Sequence, residues 1–290
     1  MTQATDVCRR IQSIDALRGF AVLGILLINI SVFALPPTYL AIPDSLPNHS
    51  GPNLVLWTFN ELAILGAMRT LFSMLFGAGV VLFTVGREHR ADAGEVADAY
   101  FRRTILLIAF GFLHAFVLLG HPDILFAYGI AGLFLYSLRR LPPRWLMLLG
   151  VVALCVPAPF VLRSAVHLHG DRAAAEVVRS LEPEGHEADE ELRRRAERWA
   201  TAVEDQERSP SHIDSEIEVR RSSYWANFRH TAWINVPRQS SYLYTTLFWD
   251  VGGMMLLGMA LHKLGILTAA RDRRFYLMMV GGGFGVGLPI

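Results

Sequence analysis

Long apolar runs joined by short loops, with arginine confined to alternate loops, constrain this 290-residue chain more than any other feature. A helix that crosses a bilayer needs roughly 20 mostly apolar residues. Runs of about that kind occupy Leu17–Leu35, Arg69–Val85, Thr104–Gly120, Ile124–Leu138, Trp145–Leu162, Leu243–Leu261 and Phe275 to the last residue. Apolar residues make up 52% of the chain and charged residues 18%, a balance that weighs against a soluble domain of this size. The sequence therefore predicts an all-α fold, a polytopic membrane bundle of about seven transmembrane helices. The run Ile124–Leu138 is short for a span and must tilt or snorkel at its ends. Pro157 and Pro159 are expected to kink the fifth run.

The arginines orient the bundle. Short cytoplasmic loops collect Lys and Arg, whereas short translocated loops lack them. Arg9, Arg10 and Arg18 stand before or at the start of the first run. Pro36–Asn53 has no basic residue. Arg87, Arg90, Arg102 and Arg103 follow, then the bare turn at His121–Pro122, then Arg139, Arg140 and Arg144. Lys263, the chain's only lysine, comes after the sixth run with Arg271, Arg273 and Arg274. This alternation places the N-terminus in the cytoplasm and the protein in the inner or plasma membrane. The first run is long for a signal peptide, contains Asn29 and leads into Pro36–Pro37, so cleavage is not expected.

Three regions result. Residues 1–163 form a five-span N-terminal bundle, 164–241 a polar segment outside the membrane, and 242–290 the beginning of a C-terminal transmembrane domain. The outside segment holds a charged helical run, His186–Glu207, which reads as a solvated face. Its aromatic residues Tyr224, Trp225, Phe228, Trp233, Tyr242 and Tyr244 suit a membrane interface. The chain stops inside an apolar run, and truncation of a longer protein is expected. The two cysteines, Cys8 and Cys155, form neither a disulfide framework nor a metal-ligand pattern, so no metal site is expected. The net charge of +1 identifies no partner, and no nucleic acid is expected.

Polar residues inside spans are costly and are functional candidates. Asn29, Arg69, His114, Asp123 and Asp250 come from five runs, and the orientation puts all five in the outer half of the membrane. Each also has a structural reading. Asn29 can hydrogen-bond a neighbouring helix. Arg69 can snorkel to headgroups, and Asp123 can cap its helix. Asp250 can pair with Arg69 or His114. His114, with Asp123 nine residues on across a tight turn, fits a general base and its orienting carboxylate. At the opposite end, Asp15 and Arg18 share a helix face, either as a local ion pair or as part of an anion site. The glycines of Leu75–Gly79, with Gly252, Gly253 and Gly258, read as helix-packing positions.

Four blocks resemble the YeiB-like membrane protein family. They are Arg10-x3-Ile14-Asp15-x-Leu17-Arg18-Gly19-Phe20 with its continuation to Asn29, Thr70–Gly79, Gly111-Phe112-Leu113-His114 with Asp123–Gly129, and Gly252–Gly258. The last is similar to the start of that family's C-terminal domain of unknown function. The Asp-x-Leu-Arg-Gly opening is also similar to bacterial membrane O-acyltransferases and to heparan-alpha-glucosaminide N-acetyltransferase. In the O-acyltransferases a catalytic His follows the motif's Arg by eleven positions; here that position is Asn29. The heparan enzyme carries an Asn there, working with a loop His whose spacing His49 does not match.

The resemblance implies acyl transfer from a cytoplasmic acyl-CoA, held near Asp15, Arg18, Arg102 and Arg103, to a hydroxyl or amine of an external glycan or lipid. His114 with Asp123 would supply the base, Asn29 an oxyanion donor, and Arg69 and Asp250 contacts to substrate. The same intramembrane polar residues also suit a transporter or permease, and the outside segment also suits a membrane scaffold or sensor.

Overall fold

The computed structural model describes residues 12–34, 50–88, 91–120, 123–181, 188–206 and 210–287. Cys8, Arg9, Arg10, His49, Arg90 and the His121–Pro122 turn lie outside them. Among the described residues every regular element is helical, in keeping with the expected all-α class. In chain order they are α1 (Gln12–Ala34), α2 (Pro52–Phe59), a π-helical segment π1 (Asn60–Leu65), α3 (Gly66–Glu88), α4 (Ala93–Phe116), α5 (Leu125–Leu138) and α6 (Pro143–Cys155). There follow α7 (Ala158–Leu181), α8 (Glu190–Gln206), α9 (Pro210–Arg221), α10 (Tyr224–Pro237), π2 (Arg238–Leu247), α11 (Phe248–Lys263) and α12 (Arg273–Gly287).

Three helical stretches among the described residues are long and apolar enough to cross a membrane: Gln12–Ser31, Gly66–Glu88 and the combined Pro143–Leu181. Leu125–Leu138 is apolar but shorter. The other expected spans miss this test for visible reasons. The first three turns of α4 carry Glu95, Asp98, Arg102 and Arg103, and its apolar run begins at Thr104. The helices α11 and α12 have 16 and 15 residues. The fifth expected span, Trp145–Leu162, lies within the passing stretch Pro143–Leu181, with a turn at Val156–Pro157 between α6 and α7, where proline cannot continue the hydrogen-bond ladder.

The core lies where α3, α4, α5, α6 and α11 meet. Tyr128, Leu146, Val251, Met255 and Met259 are almost fully buried there. A smaller cluster of Ile14, Ala21, Leu75, Ala78 and Leu267 fixes α1 against α3. Close helix approach depends on glycine, since small residues let backbones meet without a hydrophobic drive in lipid. A Cβ on Gly77 would strike the Met255 backbone, and one on Gly258 the Met74 backbone. These two glycines make the α3–α11 crossing. Gly253 lies against Gly150 of α6, and Gly111 against Phe126 of α5. Large apolar side chains outside the core, including Phe20, Leu23, Leu26, Leu27, Ile105 and Phe110, are exposed, as a lipid-facing surface requires.

Contacts between helix ends divide the bundle into two sides. Ser13 Oγ donates to the Leu267 carbonyl at 3.0 Å. Arg139 donates to Glu88 at 2.8 and 3.1 Å, and Lys263 Nζ to the Leu141 carbonyl at 2.7 Å. The start of α1, the ends of α3, α5 and α11 and the start of α6 therefore share one side, that of the arginine-bearing short loops. The helices α7 and α8 form a hairpin closed by Arg195 and Arg198, which both donate to the buried Asp171 at 3.0–3.3 Å. The helix α7 runs through residues 163 and 164 without interruption.

Candidate functional site

The site has two parts, joined along helix faces. On the arginine-bearing side a cavity of about 1320 Å³ opens between α1, α3 and α4. Arg18, Arg87, Arg102 and Arg103 stand at its rim against the single acid Asp98. Phe83 sits between two of these cations: its ring centroid is 4.2 Å from the Arg87 guanidinium and 5.7 Å from that of Arg103, cation–π distances. Arg102 pairs with Asp98, and Arg18 lies 3.8 Å from Asp15. Farther in, the wall turns apolar, with Val22, Phe72, Phe76, Leu107 and Phe110. A site with a cationic rim and an apolar floor suits an amphiphile with an anionic head.

The opposite side holds the sequence-derived polar cluster. His114 Nδ1 and Asp123 Oδ1 are 3.2 Å apart. Asp123 also accepts from the backbone N–H groups of Leu125 (3.3 Å) and Phe126 (3.0 Å), so it caps α5 and orients the imidazole together. Its side chain is 2% exposed and that of His114 28%. With Nδ1 donating to the carboxylate, Nε2 keeps its lone pair as a proton acceptor. Gly120 lies at this end of the ring, and any Cβ there would overlap the imidazole. Phe33 of α1 meets His114 edge-on at 6.4 Å. Asn29 is half-buried one turn before Phe33, on the face of α1 turned toward His114.

Arg69 and Asp250 form an ion pair between α3 and α11, both partly exposed. Beneath it Ser73 Oγ donates to the Arg69 carbonyl at 2.9 Å, and the Tyr128 hydroxyl lies 2.5 Å from Ser73 Oγ. The Tyr128 hydroxyl also lies 3.5 Å from the Arg69 carbonyl, so both hydroxyls converge on that oxygen. Of the five intramembrane residues proposed from sequence, two pairs therefore form, His114–Asp123 and Arg69–Asp250, while no contact joins Asp250 to His114 among the described residues. Sequence reading missed Ser73, Tyr128 and Asn235, whose sole signal was a polar group at a buried position.

Helix geometry connects the two parts. Eleven residues make three turns of α-helix and rise about 16 Å, returning to the same face. Arg18, Val22, Ile25 and Asn29 form such a stripe on α1, and Arg103, Leu107, Phe110 and His114 form one on α4. On α3, Phe83, Phe76, Phe72 and Arg69 form the third. Each cavity wall thus continues, past its last apolar lining residue, into a residue of the polar cluster.

Over 171 residues the chain is 32% identical to the uncharacterised protein YxaH of Bacillus subtilis (strain 168), covering 56% of this chain and 41% of YxaH. Over 132 residues it is 36% identical to the uncharacterised protein YeiB of Escherichia coli (strain K12), covering 45% of this chain and 31% of YeiB. Over 154 residues it is 28% identical to an uncharacterised 39.9 kDa protein from the amylase 3′ region of Bacillus acidopullulyticus, 53% of this chain and 41% of that one. These similarities support a YeiB-like family. The matches span less than half the length of each of these curated relatives. No family model matches the chain, and no solved structure does.

Proposed function

We propose that this YeiB-like membrane protein spans the bilayer about seven times with its N-terminus in the cytoplasm, and transfers an acyl group from a cytoplasmic acyl-CoA to an outside hydroxyl or amine. The observation that carries this reading is the arginine-rimmed cavity whose walls lead, three helical turns on, to Asn29 and His114. The donor's phosphates would lie among Arg18, Arg87, Arg102 and Arg103, and its extended arm would bring the thioester to the outer end of the cavity. His114 Nε2 would take the acceptor's proton while the acceptor O or N bonds to the thioester carbonyl carbon. Asn29 would donate to the oxyanion. Collapse of that intermediate breaks the C–S bond, and the departing thiolate takes up a proton. Asp123 would hold the Nδ1–H tautomer throughout. Residues 1–163 would form the transfer bundle, 164–241 the outside segment, and 242–290 would belong to a C-terminal transmembrane domain.

The test uses inverted membrane vesicles containing the full chain and labelled acetyl-CoA. Label should pass to an external glycan or lipid, and His114→Ala should reduce that transfer by at least about a hundredfold, the usual worth of a general base. Undiminished transfer by His114→Ala removes this residue from the role. Absence of transfer, together with unchanged thermal stability on adding acyl-CoA, refutes the reading.

A permease is the second reading, favoured by the half-exposed Arg69–Asp250 pair over the Ser73–Tyr128 hydroxyls. It requires gradient-dependent flux without a covalent product, altered by Asp250→Asn; flux indifferent to that change makes the pair structural.

A further inference from the structure

We infer that Asn235 is the positioning residue for His114, and that α10 is the clamp that carries it. This rests on His114 being the base of the proposed transfer. Asn235 is 2% exposed, although it belongs to a segment whose neighbours Trp233 and Val236 are largely exposed. Its side-chain NH2 donates to the Ala115 carbonyl at 2.8 Å and the Gly120 carbonyl at 3.3 Å. An amide NH2 has two protons, so both bonds form at once.

The two carbonyls bracket the reversal that sets His114. Ala115 is the next residue along the chain, within the last turn of α4, where carbonyls lack helical donors. Gly120 closes the reversal. Its N–H donates to the His114 carbonyl at 2.8 Å, and it lies so near the imidazole that there is no room for a Cβ. Between them Leu119 has a φ of 55°, in the left-handed region that a leucine adopts only under constraint. A third bond from α10 holds the same turn: the Tyr224 hydroxyl donates to the Val117 carbonyl at 2.9 Å. Three acceptors within six residues of His114 are therefore fixed by one helix from a distant part of the chain. Removing Asn235 leaves two buried carbonyls unsatisfied and frees a strained turn. Leu119 then relaxes, Gly120 withdraws, and the imidazole is no longer held against Asp123.

The experiment reads His114 directly, without requiring turnover. The full chain, reconstituted in lipid, is treated with diethyl pyrocarbonate, and modification of His114 is followed by peptide mass spectrometry. The exposed His167 and His169 on α7 serve as internal references. Asn235→Ala, which loses two buried hydrogen bonds, should raise the His114 to His167 rate ratio about tenfold, and Tyr224→Phe, which loses one exposed bond, about threefold. An unchanged ratio in folded Asn235→Ala overturns the inference. Should that variant fail to fold, Tyr224→Phe decides: faster amide exchange across residues 115–120 supports the clamp, and unchanged exchange overturns it. A shifted ratio in a chain that transfers no acyl group keeps Asn235 as the holder of His114 and refutes the transfer reading alone.

Discussion

Asp123 serves two elements with one carboxylate, and the two duties separate under mutation. Asp123→Asn has one oxygen where the carboxylate uses two; kept on the shorter Phe126 N–H bond, that oxygen preserves the start of α5, and thermal stability should change little. The amide NH2 then stands at the Oδ1 position and cannot accept the Nδ1–H, so transfer should fall sharply. Asp123→Ala removes both functions and should cost an additional ~1 kcal/mol for the lost cap, measurable as a lower melting temperature in detergent. At the Arg69–Asp250 pair, a double-mutant cycle with Arg69→Gln and Asp250→Asn should give a coupling of about 1 kcal/mol. A coupling near zero would mark two independently solvated charges. His114, Asp123, Arg69 and Asp250 were legible in the sequence because each is an ionisable group in or at the end of an apolar run, costly there unless paired, capping or snorkelled. Ser73, Tyr128 and Asn235 were not, because a hydroxyl or amide in a helix is ordinary until a residue far along the chain buries it.

Among elements, the α3–α11 crossing is the most sensitive contact. Gly77 and Gly258 each face the other helix's backbone, so no rotamer change can absorb a side chain. Gly258→Leu should destabilise the bundle by about 3 kcal/mol or more, read as a shifted unfolding midpoint in denaturing detergent, whereas Gly252→Leu, with open space around it, should have little effect. Sequence reading assigned both glycines to packing, but only the structure separates them, since facing direction depends on where α11 crosses. The π segments were equally hidden. Hydrophobic periodicity averages over many residues and does not register one extra residue in a turn. Both segments lead directly into the helices that carry Arg69 and Asp250.

For the whole molecule, orientation is the claim most open to measurement. With Cys8 and Cys155 replaced, Arg144→Cys should react with a membrane-impermeant maleimide only in inverted vesicles, and Arg193→Cys only from the outside of intact cells. The reverse pattern would exchange the two faces and place the arginine-rimmed cavity outside, away from any acyl-CoA. The pattern of arginines sets the expected sidedness that this labelling tests, and the end-to-end contacts of Ser13, Glu88 and Lys263 group the same loops in space. Arginine counts did not show that α1, α3 and α4 leave a cavity between them, because the gap arises from how aromatic side chains pack.

The eleven-residue interval from Arg18 to Asn29 and from Arg103 to His114 sets about 16 Å of helix between the arginines at the cavity rim and the two polar residues beyond its apolar lining. Such a spacing acts as a gauge. A fatty acid seated with its carboxylate among the arginines would present only its methyl end to His114. A carrier whose reactive carbonyl hangs at the end of a long arm would present the carbonyl itself. The protein would thus sort its donors by reach before any chemical group is recognised.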